Sequence, residues 1–167
     1  MSFSLLPKHV FEKITQITPE FLRQRGVKLL MLDFDNTLLP YTSSVPSAEL
    51  LRWLDAMKRG GVKLCVVSNS HKDKAARFCA AHNIGCVRHA NKPGKGGIRR
   101  CLARYGLKSS QAALAGDQIY TDVLGANRAG VKSILVRPIR LSNIWLKLRH
   151  VAEKPFIFLA RKRRVKP

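Results

Sequence analysis

Apolar and polar positions follow two rhythms along this chain. Continuous apolar runs of strand length recur at VKLLMLDFD (27–35), VKLCVVSN (62–69), AALAGD (112–117) and SILVRP (133–138), with a shorter one over 85–89. A run that is apolar at every position is buried on both faces, as strands are inside a parallel sheet. Between the runs lie segments with helical punctuation. Thr18-Pro19-Glu20 reads as an N-cap, a proline at the first helical position and an acidic first turn, and Gly26 closes that helix. Ser47-Ala48-Glu49 opens another that ends at Gly60-Gly61, and helices are expected over 73–82, 96–105 and 121–129. This alternation predicts an α/β fold of three layers, doubly wound and Rossmann-like, around a mostly parallel five-stranded sheet.

Beyond Pro138 the rhythm changes. Leu141, Ile144, Trp145, Leu148, Val151 and Ala152 fall on one helical stripe, and Pro155 stops it. FIFLA and Arg161-Lys162-Arg163-Arg164 follow. The expected organisation is a core over 1–140, with a helical lead-in, and a basic amphipathic tail over 141–167. The stripe either packs on the sheet or lies on a membrane surface.

Charge narrows the partners. The 167 residues carry 31 Lys and Arg against 10 Asp and Glu, a net charge of +21. Such a chain attracts polyanions: nucleic acid, acidic lipid surfaces or phosphorylated substrates. The plainer alternative is solubility with no dedicated partner. With 46% hydrophobic and 25% charged residues, disorder is excluded as the main state. No apolar run approaches the ~18 residues of a membrane span, and MSFSLLPKHV lacks the pattern of a secretory signal. Cys65, Cys79, Cys86 and Cys101 form no C-x-x-C and no zinc spacing, which fits a reducing, cytoplasmic compartment, with peripheral membrane contact left open.

Ligands of doubly wound sheets bind beyond the C-terminal strand ends. There stand Asp33 and Asp35 after the first strand, Ser68 after the second, Lys92 past the third and Asp117 after the fourth. Four of the ten acids, Asp33, Asp35, Asp117 and Asp122, fall in two tight pairs. Neighbouring carboxylates repel unless a cation or proton relieves them. A hard divalent ion such as Mg²⁺, which prefers oxygen ligands, is the natural relief.

These residues resemble the motifs of the haloacid dehalogenase-like (HAD) phosphatases. DFDNTLLPY (33–41) is similar to the first, D-x-D-x-T; Ser68 in VVSNS to the second; Lys92 in NKPGKGG to the third; and GDQIYTD (116–122) to the fourth. Over roughly residues 5–140 the chain resembles the capless subfamily IIIA phosphatases of the YqeG family, relatives of the mitochondrial phosphatidylglycerophosphate phosphatases. One departure is SNS, where that family commonly has SNN; the Ser68 hydroxyl is unaffected.

The resemblance implies a HAD-like fold without a cap domain and a Mg²⁺-dependent phosphomonoester hydrolase working through an aspartyl-phosphate. Asp33 is then the nucleophile and Asp35 the general acid and base. Mg²⁺ is held by the carboxylates of Asp33 and Asp117 and the carbonyl of Asp35. Ser68 and Lys92 bind the phosphoryl group, joined by Thr37 and Asn69. Asp122 acts behind them, through Lys92 or metal-bound water, or serves as an N-cap. Thr37 either touches phosphate or caps a turn, and Asn36 is either a turn residue or a ligand. Tyr41 and His71 border the mouth, and the histidines are otherwise surface groups. Gly116 and Gly125 serve close packing and turns.

Neither possible insertion point has room for a lid. The site is expected to be open to a phosphate on something large, or covered by a neighbouring subunit in a homo-oligomer. The leading substrate is a lipid phosphate, phosphatidylglycerophosphate, met at an anionic membrane. The alternatives are a phosphatase of nucleic-acid ends or nucleotides, and a basic RNA- or ribosome-binding protein with a vestigial site. Aromatic residues at 7% give base stacking little support.

Overall fold

A computed structural model describes residues 4–71, 73–140 and 157–159. The strands are β1 (His9–Phe11), β2 (Leu29–Leu32), β3 (Lys63–Val67), β4 (Gly85–Val87), β5 (Ala112–Gly116) and β6 (Lys132–Val136). The helices are α1 (Pro19–Arg23), α2 (Ala48–Arg59), α3 (Lys74–Ala81), α4 (Gly96–Tyr105) and α5 (Leu124–Ala129). The strands form one sheet in the order β1-β6-β5-β2-β3-β4, and every pairing is parallel.

The sheet therefore has six strands, not five. The addition is β1, which sits at the edge and pairs His9 with Ile134 and Phe11 with Val136. Its three residues are all half-buried, so it has no continuous apolar run to betray it.

Alternate residues of each strand feed opposite faces. Leu30, Leu32, Leu64, Val66, Ile134 and Val136 meet Leu22 of α1, Trp53, Leu54 and Met57 of α2, and Phe78 of α3. Leu29, Met31, Cys65, Val67 and Leu114 meet Ile98 and Cys101 of α4 and Ala126 of α5. This is the three-layer, doubly wound arrangement. Each such side chain contributes about 1.5–3 kcal/mol by leaving water, so the central strands must be apolar throughout.

The helix starts follow their caps. Thr18 Oγ1 accepts from Phe21 N ahead of Pro19, and Ser47 Oγ accepts from Leu50 N. The helix expected over 121–129 begins instead as a π-helical turn, Ile119–Val123, that runs into α5. Asp122 N and Val123 N both donate to Gln118 O there.

Both connections where a lid would be inserted are plain loops, 33–47 before α2 and 88–95 before α4. No helix among the described residues is long and apolar enough to cross a membrane. The stripe over 141–152 and the basic run 161–164 lie outside the described residues.

Candidate active site

All strands point the same way, so the connections leaving β2, β3, β4 and β5 share one edge of the sheet. The site is built there. Asp33 N donates to Ala115 O at 2.9 Å, which fixes Asp33 at the end of β2. Ser68 N donates to Val87 O at 3.0 Å at the end of β3.

The turn after Asp33 is set by Asn36, at φ 64° in the left-handed region, which asparagine tolerates better than most residues. Asn36 is fully buried and does not line the cleft. Its Nδ2 donates to Arg140 O at 2.9 Å, and Arg140 N donates to its Oδ1 at 2.9 Å. Of its two readings, turn residue or ligand, the structure gives the turn.

Lys92 lies at the centre. Its Nζ is 2.6 Å from Asp33 Oδ1 and 2.7 Å from Asp122 Oδ1, and its side chain is 1% exposed. Burial disfavours the ammonium, but the charges of Asp122 and Asp33 outweigh it and hold the Lys92 pKa above the ordinary lysine value. Burial pushes the Asp122 pKa up to about 6, against the pull of Lys92 and with the repulsion of Asp33. Asn69 holds the lysine's backbone from both sides: its Nδ2 donates to Lys92 O at 2.9 Å, and Lys92 N donates to its Oδ1 at 2.8 Å. Asp122 is seated by Gly116, where a Cβ would fall 2.3 Å from its carboxyl carbon. Asp122 Oδ2 also accepts from Gln118 N at 3.1 Å.

A cleft of about 370 Å³ opens over these groups. Asp33, Asp35, Ser68, Asn69 and Lys92 line it. Asp117, Asp122 and Thr37 are buried behind its wall. Thr37 thus braces carboxylates, with its Oγ1 3.3 Å from both Asp33 Oδ2 and Asp117 Oδ1. Ser68 Oγ accepts from Ser70 N at 3.0 Å. Tyr41 borders the cleft as expected, whereas His71 packs at a tilt against His89, with ring centroids 4.5 Å apart.

Lys74, Ser70, Gln118 and Thr121 also line the cleft and were not singled out from the sequence. Lys74 left a signal. It is the first residue of α3, where the helix dipole disfavours a cation. Its Nζ donates to Pro40 O at 2.9 Å instead and lies 5.6 Å from the Phe34 ring centroid.

Asp33, Asp117 and Asp122 each offer a carboxylate oxygen within 4.8 Å of the others. Three buried carboxylates against the single ammonium of Lys92 leave a formal excess of two negative charges. The Thr37 hydroxyl has one proton and relieves only one of its two carboxylates at a time. The set fits a hard divalent cation. Asp122 has both carboxylate oxygens occupied, Oδ1 by Lys92 and Oδ2 by Gln118 N. Asp33 meets Lys92 through Oδ1 alone and shares the single Thr37 proton with Asp117, so Asp33 and Asp117 are the carboxylates better placed to hold the cation.

The family follows from this fold and this edge. A "HAD-hydrolase-like" family model matches residues 89–138. "Probable phosphatase YqeG" of Bacillus subtilis is 36% identical over 83% of this chain and 80% of its own length. "Phosphatidylglycerophosphate phosphatase 1, chloroplastic" of Chlamydomonas reinhardtii is 30% identical over 82% of this chain, which spans only 54% of that protein. The cobalt-bound deoxy-D-mannose-octulosonate 8-phosphate phosphatase of Haemophilus influenzae shares the fold, with a TM-score of 0.54 at 12% identity over 75% of each chain. The chain belongs to the HAD-like phosphatase family.

Proposed function

We propose that this chain hydrolyses a phosphomonoester through an aspartyl-phosphate on Asp33, with Mg²⁺ as its metal and a lipid phosphate, phosphatidylglycerophosphate, as its substrate. The observation that carries the reaction is the placement of Asp33 at the cleft wall, paired with the buried Lys92 and backed by Asp117. The substrate class rests on the likeness to the algal phosphatidylglycerophosphate phosphatase and on the open cleft of a strongly cationic chain.

Asp33 attacks phosphorus, and the bond to the leaving oxygen breaks. Asp35, two residues on and on the same wall, gives that oxygen a proton. Asp35 then takes a proton from the water that attacks the aspartyl-phosphate, which frees Asp33 and phosphate. Lys92 and Ser68 bind phosphoryl oxygens, and Asn69 holds Lys92 in place. Mg²⁺ would be held by the Asp33 and Asp117 carboxylates and the Asp35 carbonyl, and it would offset the charge of the phosphoryl group. Asp122 keeps Lys92 positioned.

The test is a panel of phosphoesters assayed with and without Mg²⁺, including phosphatidylglycerophosphate in detergent mixed micelles. The lipid should be turned over fastest, and only with the metal. Faster turnover of a nucleotide or of an oligonucleotide 5′-phosphate would overturn the substrate assignment.

A further inference from the structure

Six large hydrophobic side chains are exposed among the described residues: Tyr41, Val45, Tyr120, Ile139, Phe158 and Leu159, with Val45 at 78% and Phe158 at 65%. Scattered exposed hydrophobics need no explanation, but these are not scattered. Tyr41 and Val45 lie in the connection leaving β2, Tyr120 in that leaving β5 and Ile139 in that leaving β6. The strands are all parallel, so these four side chains ring the one edge that carries the cleft. Phe158 and Leu159 follow directly on Ile157, which packs on Ile119, Val123 and Leu135, the first two flanking Tyr120 in the chain. The opposite edge and the helices α1–α5 expose no large hydrophobic residue among those described.

We infer that this ring is a membrane-docking face, which seats the open cleft on an anionic bilayer. The inference rests on the lipid-phosphate reading for its purpose, not for its geometry. The charge complements such a surface: the chain carries +21 overall, and Lys74, Arg88, Lys95, Arg137 and Arg140 lie in or beside the connections of this same edge. Of the acids at this edge, Asp33 and Asp122 pair with Lys92, Asp73 with Arg88, Glu12 with Arg137 and Glu49 with Lys13, while Asp35 and Asp117 belong to the active site itself. Tyrosine suits the headgroup layer, where its ring is half-immersed, while the aliphatic members reach further in. Single-stranded nucleic acid fits less well, because Val45, Ile139 and Leu159 have no π face for a base to stack on. Docking would present a headgroup phosphate to Asp33 while the acyl chains stay in the bilayer, so a cleft of about 370 Å³ need hold only the headgroup.

The test uses the full chain and phosphatidylcholine vesicles with and without phosphatidylglycerol, with no substrate present. Wild type should co-sediment with the anionic vesicles, and added salt should weaken binding. Val45→Glu/Ile139→Glu should bind at least about tenfold more weakly, because two apolar anchors become charged. Lys108→Glu changes net charge by the same amount from the opposite edge and should bind within about twofold of wild type. Both variants should hydrolyse p-nitrophenyl phosphate like wild type. Should the first variant misfold, Phe158→Glu/Leu159→Glu repeats the test on the segment 157–159 with the same expected loss. The face is overturned if wild type ignores anionic vesicles, if the ring variants bind as wild type does, if Lys108→Glu weakens binding equally, or if wild type captures RNA and no vesicle. Vesicle binding without phosphatidylglycerophosphate hydrolysis in micelles would instead overturn the substrate reading and leave the face standing.

Discussion

Lys92 Nζ stands 2.6 Å from Asp33 Oδ1, although 59 residues separate them in the chain. One ammonium, shared with Asp122, makes two buried carboxylates tolerable. Lys92→Met keeps the length and removes the charge. Turnover of p-nitrophenyl phosphate should fall by about 10³-fold or more, as when a charge-stabilising donor is lost. Unfolding in denaturant should show a loss of about 3–5 kcal/mol, the usual result of stranding a buried charge. Adding Asp122→Asn should restore stability and not activity. A stable, inactive single variant would show that the carboxylates do not depend on Lys92.

Gly116 and Asp122 are equally constrained. A methyl group on Gly116 falls 2.3 Å from the carboxyl of Asp122, which must move. Gly116→Ala should cost about 1–3 kcal/mol, as overpacking does, and should also lower kcat by displacing Asp122 from Lys92. Gly96→Ala is the contrasting change: its nearest neighbour would be the tip of Arg100 at 3.7 Å, and it should gain up to about 1 kcal/mol from helix propensity. Thermal melts of the two variants, with kcat alongside, check both.

Burial raises the Asp122 pKa from 3.8 to about 6, which sets a sign for pH. The folded state holds that proton more tightly than the unfolded chain does. Its stabilising contribution is therefore complete below the unfolded value and is lost as pH rises through about 6. Lys92 stays charged throughout this window. In metal-free protein the Tm of Asp122→Asn relative to wild type should climb as pH is raised across that range. A difference that stays flat or falls would contradict the burial argument.

Chelation should abolish activity and also lower Tm, because a cation bound only by the folded state stabilises it. Mg²⁺ should restore both. Ca²⁺ should restore stability better than turnover, since it takes more ligands at longer distances. Scanning calorimetry with and without EDTA separates the two effects, and full activity in excess EDTA would refute metal dependence.

The buried elements were legible because burial on two faces leaves only one kind of sequence, as in Leu29–Leu32 and Ala112–Gly116. The edge strand β1 was not: three half-buried residues carry no periodicity, and only their pairing with β6 defines them. The π-helical turn at Ile119–Val123 was hidden for a different reason, since it shares the apolar spacing of an α-helix and differs only in where Gln118 O is used. The site was legible where chemistry demanded a residue type at a strand end, as at Asp33 and Lys92. Thr37 and Asn69 show what spacing cannot tell. Thr37 braces two carboxylates from behind, and Asn69 grips the backbone of Lys92, relations that exist only after strands distant in sequence are brought side by side. Lys74 reaches the cleft from the start of a helix, and no strand end announces it.

The central claim is that Asp33 itself carries the phosphoryl group. It is tested most directly by quenching the enzyme during turnover and reducing it with borohydride, which converts an aspartyl-phosphate to homoserine. Peptide mass spectrometry should then find homoserine at position 33, absent in Asp33→Asn and absent without substrate. Homoserine at Asp35 or Asp117, or unmodified Asp33 in an enzyme that is turning over at a quench fast enough to trap the intermediate, would contradict the account.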